Sequence, residues 1–385
     1  MRWPRHRVEA IPAAEFWPPH CPWTDCRFHQ ANDHSHFTRH GVYVRRRDRK
    51  TIPRFRCQGC GRTCSQQSFA CSYYLKRPEL LLPVAAGLQA GSAHRQLARS
   101  LGCAPSTVTR LSARLGRHAI LLSAQLLDAV GSITEPVVHD DFETFVYSQD
   151  FPIGLGTTVG YHSWFVYNLE YAPHRRGGRP TRGRRARQKI APPARGAYRR
   201  AFSRMLDLLV ERVPPERMLE IHTDGHPAYR SALRRHPLAG RCRHRRFPNP
   251  HRPHKGAPRS PEARARDAAM FPGDLLHRLI RHTSAHHRRE TIAFSRRPGP
   301  LLERAWLMTV WRNLIKLRSE RRPASETPAM FLGVTREPWT WPRVFAQRLF
   351  PSRVRVPEPW RRVYRRGIEI PQLGVTAPHA CVRAY

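Results

Sequence analysis

A multidomain α/β protein is predicted by three features of this 385-residue chain. Two short cysteine pairs stand near the N-terminus, a helical stretch is broken by a turn glycine at Gly102, and strands alternate with helices from residue 134 onward. The length suffices for two or three domains, each with a core of its own. We divide it into a cysteine-knuckle module (15–75), a helix-turn-helix unit (76–128), a mixed α/β domain (134–325) with basic insertions at about 173–196 and 240–270, and a basic Trp/Pro-rich extension (326–385).

Charge narrows the partners. The 68 Lys plus Arg stand against 28 Asp plus Glu, for a formal net charge of +40 and a pI near 11.5. Such an excess repels itself in the folded state unless a polyanion is near, and nucleic acid is the polyanion it fits best. A membrane reading is excluded, because no apolar run approaches the roughly 18–20 residues a span needs. The longest candidate, LLLPVAAGLQA, contains a proline, and the N-terminal MRWPRHRVEA lacks the apolar stretch of a signal peptide. We therefore expect a cytoplasmic protein, whose nine cysteines are metal ligands or buried thiols before they are disulfides.

In the first module Cys21 and Cys26 form one pair, in CPWTDC, and Cys57 and Cys60 another, in FRCQGCGR, with 30 residues between them. Each tight turn aims two thiolates at one point, as a tetrahedral Zn2+ requires. The intervening GVYVRRRDRKTIPRFRC alternates apolar and basic residues around an Asp-Arg turn, which predicts a small hairpin presenting arginines. The whole predicts a zinc ribbon with structural Zn2+ on Cys21, Cys26, Cys57 and Cys60. The wider spacing of the first pair leaves His29, His34 or His36 open as a replacement for one thiolate. Cys64 and Cys71 read as spare thiols.

HRQLARSLGCAPSTVTRLSARLG (94–116) follows as two short helices about a tight turn. Ala98, Gly102 and Val108 take the small, turn-glycine and apolar-lock positions of a helix-turn-helix. Ser106 is placed to cap the second helix, and Thr107, Thr109, Arg110 and Arg114 to meet bases or phosphates. A plain helical hairpin has the same pattern; the basic chain and the neighbouring ribbon favour DNA.

From residue 134, EPVVHDDFETFVY, IGLGTTVGY and SWFVYNLEYA are rich in Val, Tyr, Phe and Trp and predict three neighbouring strands. A helix over 198–213 and a strand over 217–224 come after the first basic insertion. On that strand Leu219, Ile221 and Thr223 share one face, while Glu220, His222 and Asp224 share the other. Asp224 thus ends a strand, where a sheet exposes side chains to a site, although Asp-Gly after a strand is also an ordinary turn. Asp140 and Asp141 lie within the first strand. Glu290, in HHRRET, precedes an apolar helical run at 301–317 and has arginines around it, as a helical salt bridge would.

This order of modules, with HDDFETF on one strand, HTDGH at the end of another and HHRRET beyond it, resembles bacterial insertion-sequence transposases of the DDE type. The resemblance spans about 20 to about 350 and lies in the order of modules more than in any single motif. It implies an RNase H-like catalytic domain with a three-carboxylate metal site: Asp140 first, Asp224 second and Glu290 third, with Arg297, seven residues on, as a supporting basic residue. Asp141 is the alternative first acid, since one register step reverses a strand's faces. The cofactor implied is Mg2+ (or Mn2+), because attack on a phosphodiester needs charge neutralised on the entering and leaving oxygens and hard cations want carboxylate oxygens. The implied activity is strand hydrolysis at an element's end, followed by attack of the freed 3′-hydroxyl on target DNA. The partners implied are double-stranded DNA and further copies of the chain assembled on it. Two other functions suit parts of the sequence: a non-catalytic DNA-binding regulator, and a nuclease without strand transfer.

Overall fold

The alternating stretch between the cysteine pairs folds as an antiparallel ribbon. In a computed structural model of the protein, which describes residues 16–375 apart from 47, 175–180, 184, 187–193, 251–253, 255, 290 and 371–373, β1 (Phe37–Val44) pairs with β2 (Thr51–Cys57), and β2 with β3 (Thr63–Ser65). Arg45 Nε donates to Asp48 Oδ1 at 2.8 Å across the turn, and Arg49 takes a left-handed φ of 56°. Beyond Phe37, β1 is exposed. Phe16, Phe37, Phe55 and Phe69 form the ribbon's own core.

Three helices follow: α1 (Leu81–Gln89), α2 (His94–Ser100) and α3 (Pro105–Val130). Ala98 and Val108 are buried between them, and Gly102 makes the turn with a left-handed φ of 58° that suits glycine. Two expectations are corrected. The second helix is not short: α3 has 26 residues, a length of about 39 Å, because its apolar stripe continues into the main core. Ser106 does not cap it; the cap position is Ala104 and Pro105 is the first helical residue, where its fixed φ suits entry.

The main sheet has the order β6-β5-β4-β7-β8, built from β4 (Val137–Phe145), β5 (Pro152–Gly160), β6 (Val166–Pro173), β7 (Leu219–Thr223) and β8 (Cys242–Arg246). The first three form an antiparallel meander; β7 runs parallel to β4, and β8 parallel to β7. Helices α4 (Ala197–Val210) and α5 (Pro227–Leu233) cover one face, where Phe202 and Tyr229 meet His139. Helix α6 (Pro261–Thr283) covers the other, where Gly273 lies against Val138. The segment read as a second insertion, about 240–270, therefore holds the fifth strand and the start of α6. CRHRR has no apolar alternation because it is a largely exposed edge strand.

Helix α7 (Pro298–Val310) crosses α3 at Gly116, where a Cβ would stand 2.4 Å from the backbone oxygen of Glu303. The Glu303 carboxylate is 1% exposed and accepts hydrogen bonds from Arg117 at 3.1 Å and from Arg366 at 2.7 and 2.9 Å. One apolar cluster runs from α1–α3 through the sheet to Trp360. The C-terminal extension is packed along this body: Phe350 enters the ribbon core, Arg348 N–H donates to Phe69 O at 2.8 Å, and Trp360 packs at a tilt against Trp306 and donates to Asn168 Oδ1 at 2.7 Å. Among the described residues no helix is long and apolar enough to cross a membrane.

Candidate functional site

Cys21, Cys26, Cys57 and Cys60 converge as their spacing predicts, with all four sulfurs within 4.8 Å of one another. The Cys21–Cys60 and Cys26–Cys57 separations are each 3.7 Å, and a tetrahedron with Zn–S bonds of about 2.3 Å has edges of about 3.8 Å. The buried cluster could thus hold a structural metal such as zinc. Burial raises the Cys60 thiol, but hydrogen bonds to the backbone and side chain of Arg62, and to Cys21 and Cys26, outweigh it and bring the pKa to about 7. The histidines stand aside. His29 spends Nδ1 on Cys21 O and Nε2 on Ser352 Oγ, both at 2.7 Å, and His36 stacks on Phe28. Cys64 is buried among the ribbon's phenyl rings.

The two acids of β4 part company. Asp140 pairs across to Thr157 and Asp141 to Gly156, so their side chains leave opposite faces of the sheet. Asp140 faces α6: His277 Nδ1 stands 3.7 Å from its Oδ2, and His277 Nε2 contacts Thr157 Oγ1 at 2.9 Å. Asp141 faces α5, where Tyr229 donates to its Oδ2 at 2.6 Å and its Oδ1 is buried with no hydrogen-bond partner.

Asp224 sits one residue past β7. The parallel register pairs Val137 with Ile221 and Val138 with His222; carried two residues on, it sets Asp140 opposite Asp224, about one strand spacing (~4.8 Å) away. The turn reading also holds, because Asp224 Oδ1 accepts the His226 N–H at 2.9 Å and Gly225 has a φ of 88°.

One carboxylate in this group escaped the sequence reading. Asp274, on α6, is near enough that its charge is felt at Asp140. It was legible only as a helical residue two places after a proline, in AAMFPGDLLHRL. Burial first, then the charge of Asp224 and, more weakly, that of Asp274 push the Asp140 carboxyl up to about 7. Burial pushes Asp141 up to about 8 against its hydrogen bond from Tyr229, with Asp140, Asp224 and Glu143 adding to the rise. Asp140, Asp224 and Asp274, in a chain of +40, offer oxygen donors of the kind that suit a hard divalent cation. Their spread is wider than that of the thiols, which alone among the described residues gather three or more such ligand atoms within 4.8 Å.

Glu290 lies outside the described residues. Arg297 is exposed, at the cap position of α7. On the first turns of α3, Ser106, Thr109 and Arg110 are exposed and Thr107 is half-buried. Arg114 is turned inward, donating to Cys71 O at 3.0 Å and Tyr73 O at 2.7 Å, because α3 is already entering the core at that level.

These features define a mixed α/β protein with a four-thiol cluster that could hold a metal and, apart from it, carboxylates near a strand end. No family model matches the chain, and no curated protein matches it.

Proposed function

We propose that the protein is a DDE-type DNA transposase with an RNase H-like catalytic domain, in which Asp140, Asp224 and Asp274 are the carboxylates of a divalent-metal site. The observation that carries this reading is the parallel register of β4 and β7, Val138 with His222, which carried two residues on brings Asp140 toward Asp224, with the charges of Asp224 and Asp274 both felt at Asp140. The strand order, a three-strand meander followed by two parallel strands, supports the RNase H-like assignment. Asp274 lies on the helix after the fifth strand. We take it as the third acid because its charge is felt at Asp140, whereas Glu290 lies outside the described residues.

Mg2+ or Mn2+ bound there would neutralise charge on the entering and leaving oxygens of a phosphodiester. Asp140, Asp224 and Asp274 would supply its oxygen ligands, while His277, tied to Thr157, orients Asp140. Asp141, held by Tyr229 on the far face, supports β4 and takes no part in the reaction. Ser106, Thr107, Thr109 and Arg110 at the open end of α2–α3 would meet the DNA, with the arginine-rich ribbon beside them. The reaction proposed is hydrolysis at an element's end and transfer of its 3′-hydroxyl to target DNA, by copies of the chain assembled on two ends in the bacterial cytoplasm.

The test is cleavage of the DNA that flanks the coding sequence. Asp140→Asn, Asp224→Asn and Asp274→Asn should each abolish Mg2+-dependent cleavage and leave end binding intact. If Glu290→Gln abolishes it while Asp274→Asn does not, the third acid is Glu290. Wild-type protein that binds the ends but cleaves nothing leaves a DNA-binding regulator, and cleavage that survives Asp140→Asn and Asp224→Asn overturns the carboxylate site. A pre-cut end that fails to join target DNA leaves a nuclease.

A further inference from the structure

Asp274 is held by a cation of the chain's own. The Arg266 guanidinium grips it with both arms, Nη1 on Oδ2 and Nη2 on Oδ1, the latter at 3.3 Å. The side chains are 12% and 20% exposed, so water screens the pair only in part. Arg266 lies eight residues before Asp274 on α6, about 12 Å along the axis, and its side chain runs along the helix to reach it. Asp267, which is paired with Arg259, is a second and more distant partner of Arg266 at 3.8 Å, and the two-armed grip is on Asp274. Arg266 Nε is buried with no hydrogen-bond partner. A guanidinium placed for stability alone would ordinarily have that donor satisfied.

A two-armed guanidinium uses both carboxylate oxygens, and a hard cation needs the same lone pairs. We propose that Arg266 is a tethered counter-ion that competes with a divalent metal for Asp274, so that metal loads only by displacing the guanidinium. This rests on the carboxylate site proposed above and adds a control on it: Arg266 raises the metal concentration at which the site fills.

The experiment measures Mn2+ binding to the full-length, zinc-loaded protein by the electron paramagnetic resonance signal of free Mn2+. The carboxylate site is identified as the Mn2+ lost in Asp140→Asn and in Asp274→Asn. Arg266→Gln should bind that Mn2+ about tenfold more tightly than wild type, the size of one charge-assisted contact. Arg266→Lys, a point charge that holds one oxygen well, should fall between them; it makes the same comparison if Arg266→Gln does not fold. Site Mn2+ that binds wild type and both Arg266 variants equally, or binds the variants more weakly, overturns the competition and leaves the site standing. Mn2+ binding indifferent to Asp140→Asn and Asp274→Asn overturns the site and the competition together.

Discussion

Asp141→Asn separates the two acids of β4. The Asp141 carboxyl is raised from its ordinary 3.8 to about 8, by burial first and then by the charges of Asp140, Asp224 and Glu143, against the Tyr229 hydrogen bond. The folded chain therefore keeps a proton that the unfolded chain releases near pH 4. Stability from this group is complete below that value and is lost as pH rises to about 8. Taken whole, the shift would be worth about 5–6 kcal/mol at 1.36 kcal/mol per pKa unit. Relaxation and water entry around an ionised carboxylate reduce that to about 1–3 kcal/mol. Asparagine keeps the shape and an acceptor for Tyr229 but has no proton to lose. In urea unfolding of the zinc-loaded chain, Asp141→Asn should thus be more stable than wild type by about 1–3 kcal/mol at pH 8, with the advantage shrinking toward pH 5. It should also retain cleavage, which Asp140→Asn loses. An Asp141→Asn protein that is less stable at pH 8, or as inactive as Asp140→Asn, would refute the division of β4 into a reacting face and a supporting face.

Other outcomes are expected. A strong chelator should melt the ribbon, seen as loss of tertiary signal from Trp17 and Trp23, and an unchanged spectrum would remove the metal from Cys21, Cys26, Cys57 and Cys60. Because Asp140 holds its proton up to about 7, Mn2+ affinity at the carboxylates should rise as pH increases through 7; a flat profile there would deny Asp140 a part. Arg110→Ala should weaken DNA binding and lower the salt slope by about one. Arg114→Ala should instead destabilise the fold by about 1–3 kcal/mol, by stranding the Cys71 and Tyr73 carbonyls, which denaturant curves would register.

The sequence carried the ribbon and the parts of the sheet whose signals are local. Cysteine spacing alone brought four thiols together, and apolar alternation located β4 to β7 within a few residues. The strand β8 was missed because CRHRR is an edge with almost nothing to bury. Ser106 and Arg114 were misplaced because a helix start and a helix's depth of burial depend on packing that a 23-residue window (94–116) does not contain. The choice between Asp140 and Asp141 is a matter of which face of β4 meets α6, and Asp274 is a matter of where α6 lies. Both depend on tertiary contacts that periodicity leaves open.

Helix α3 connects the proposed DNA-reading end to the carboxylates. Its first turns are exposed and bear Ser106, Thr109 and Arg110; its later turns are buried against α7 at the Gly116–Glu303 crossing. Arg117 from α3 and Arg366 from the C-terminal extension meet on that one buried carboxylate, and the same extension inserts Phe350 into the ribbon core. Among the described residues, the ribbon, α2–α3 and the sheet are thereby joined through shared packing and ion-pair contacts. If the ribbon and α2–α3 grip an element's end, the register of cleavage is then set by the length of α3. Removing the tie at Glu303, which takes their shared carboxylate from Arg117 and Arg366, should blur the position of the cut before it abolishes binding.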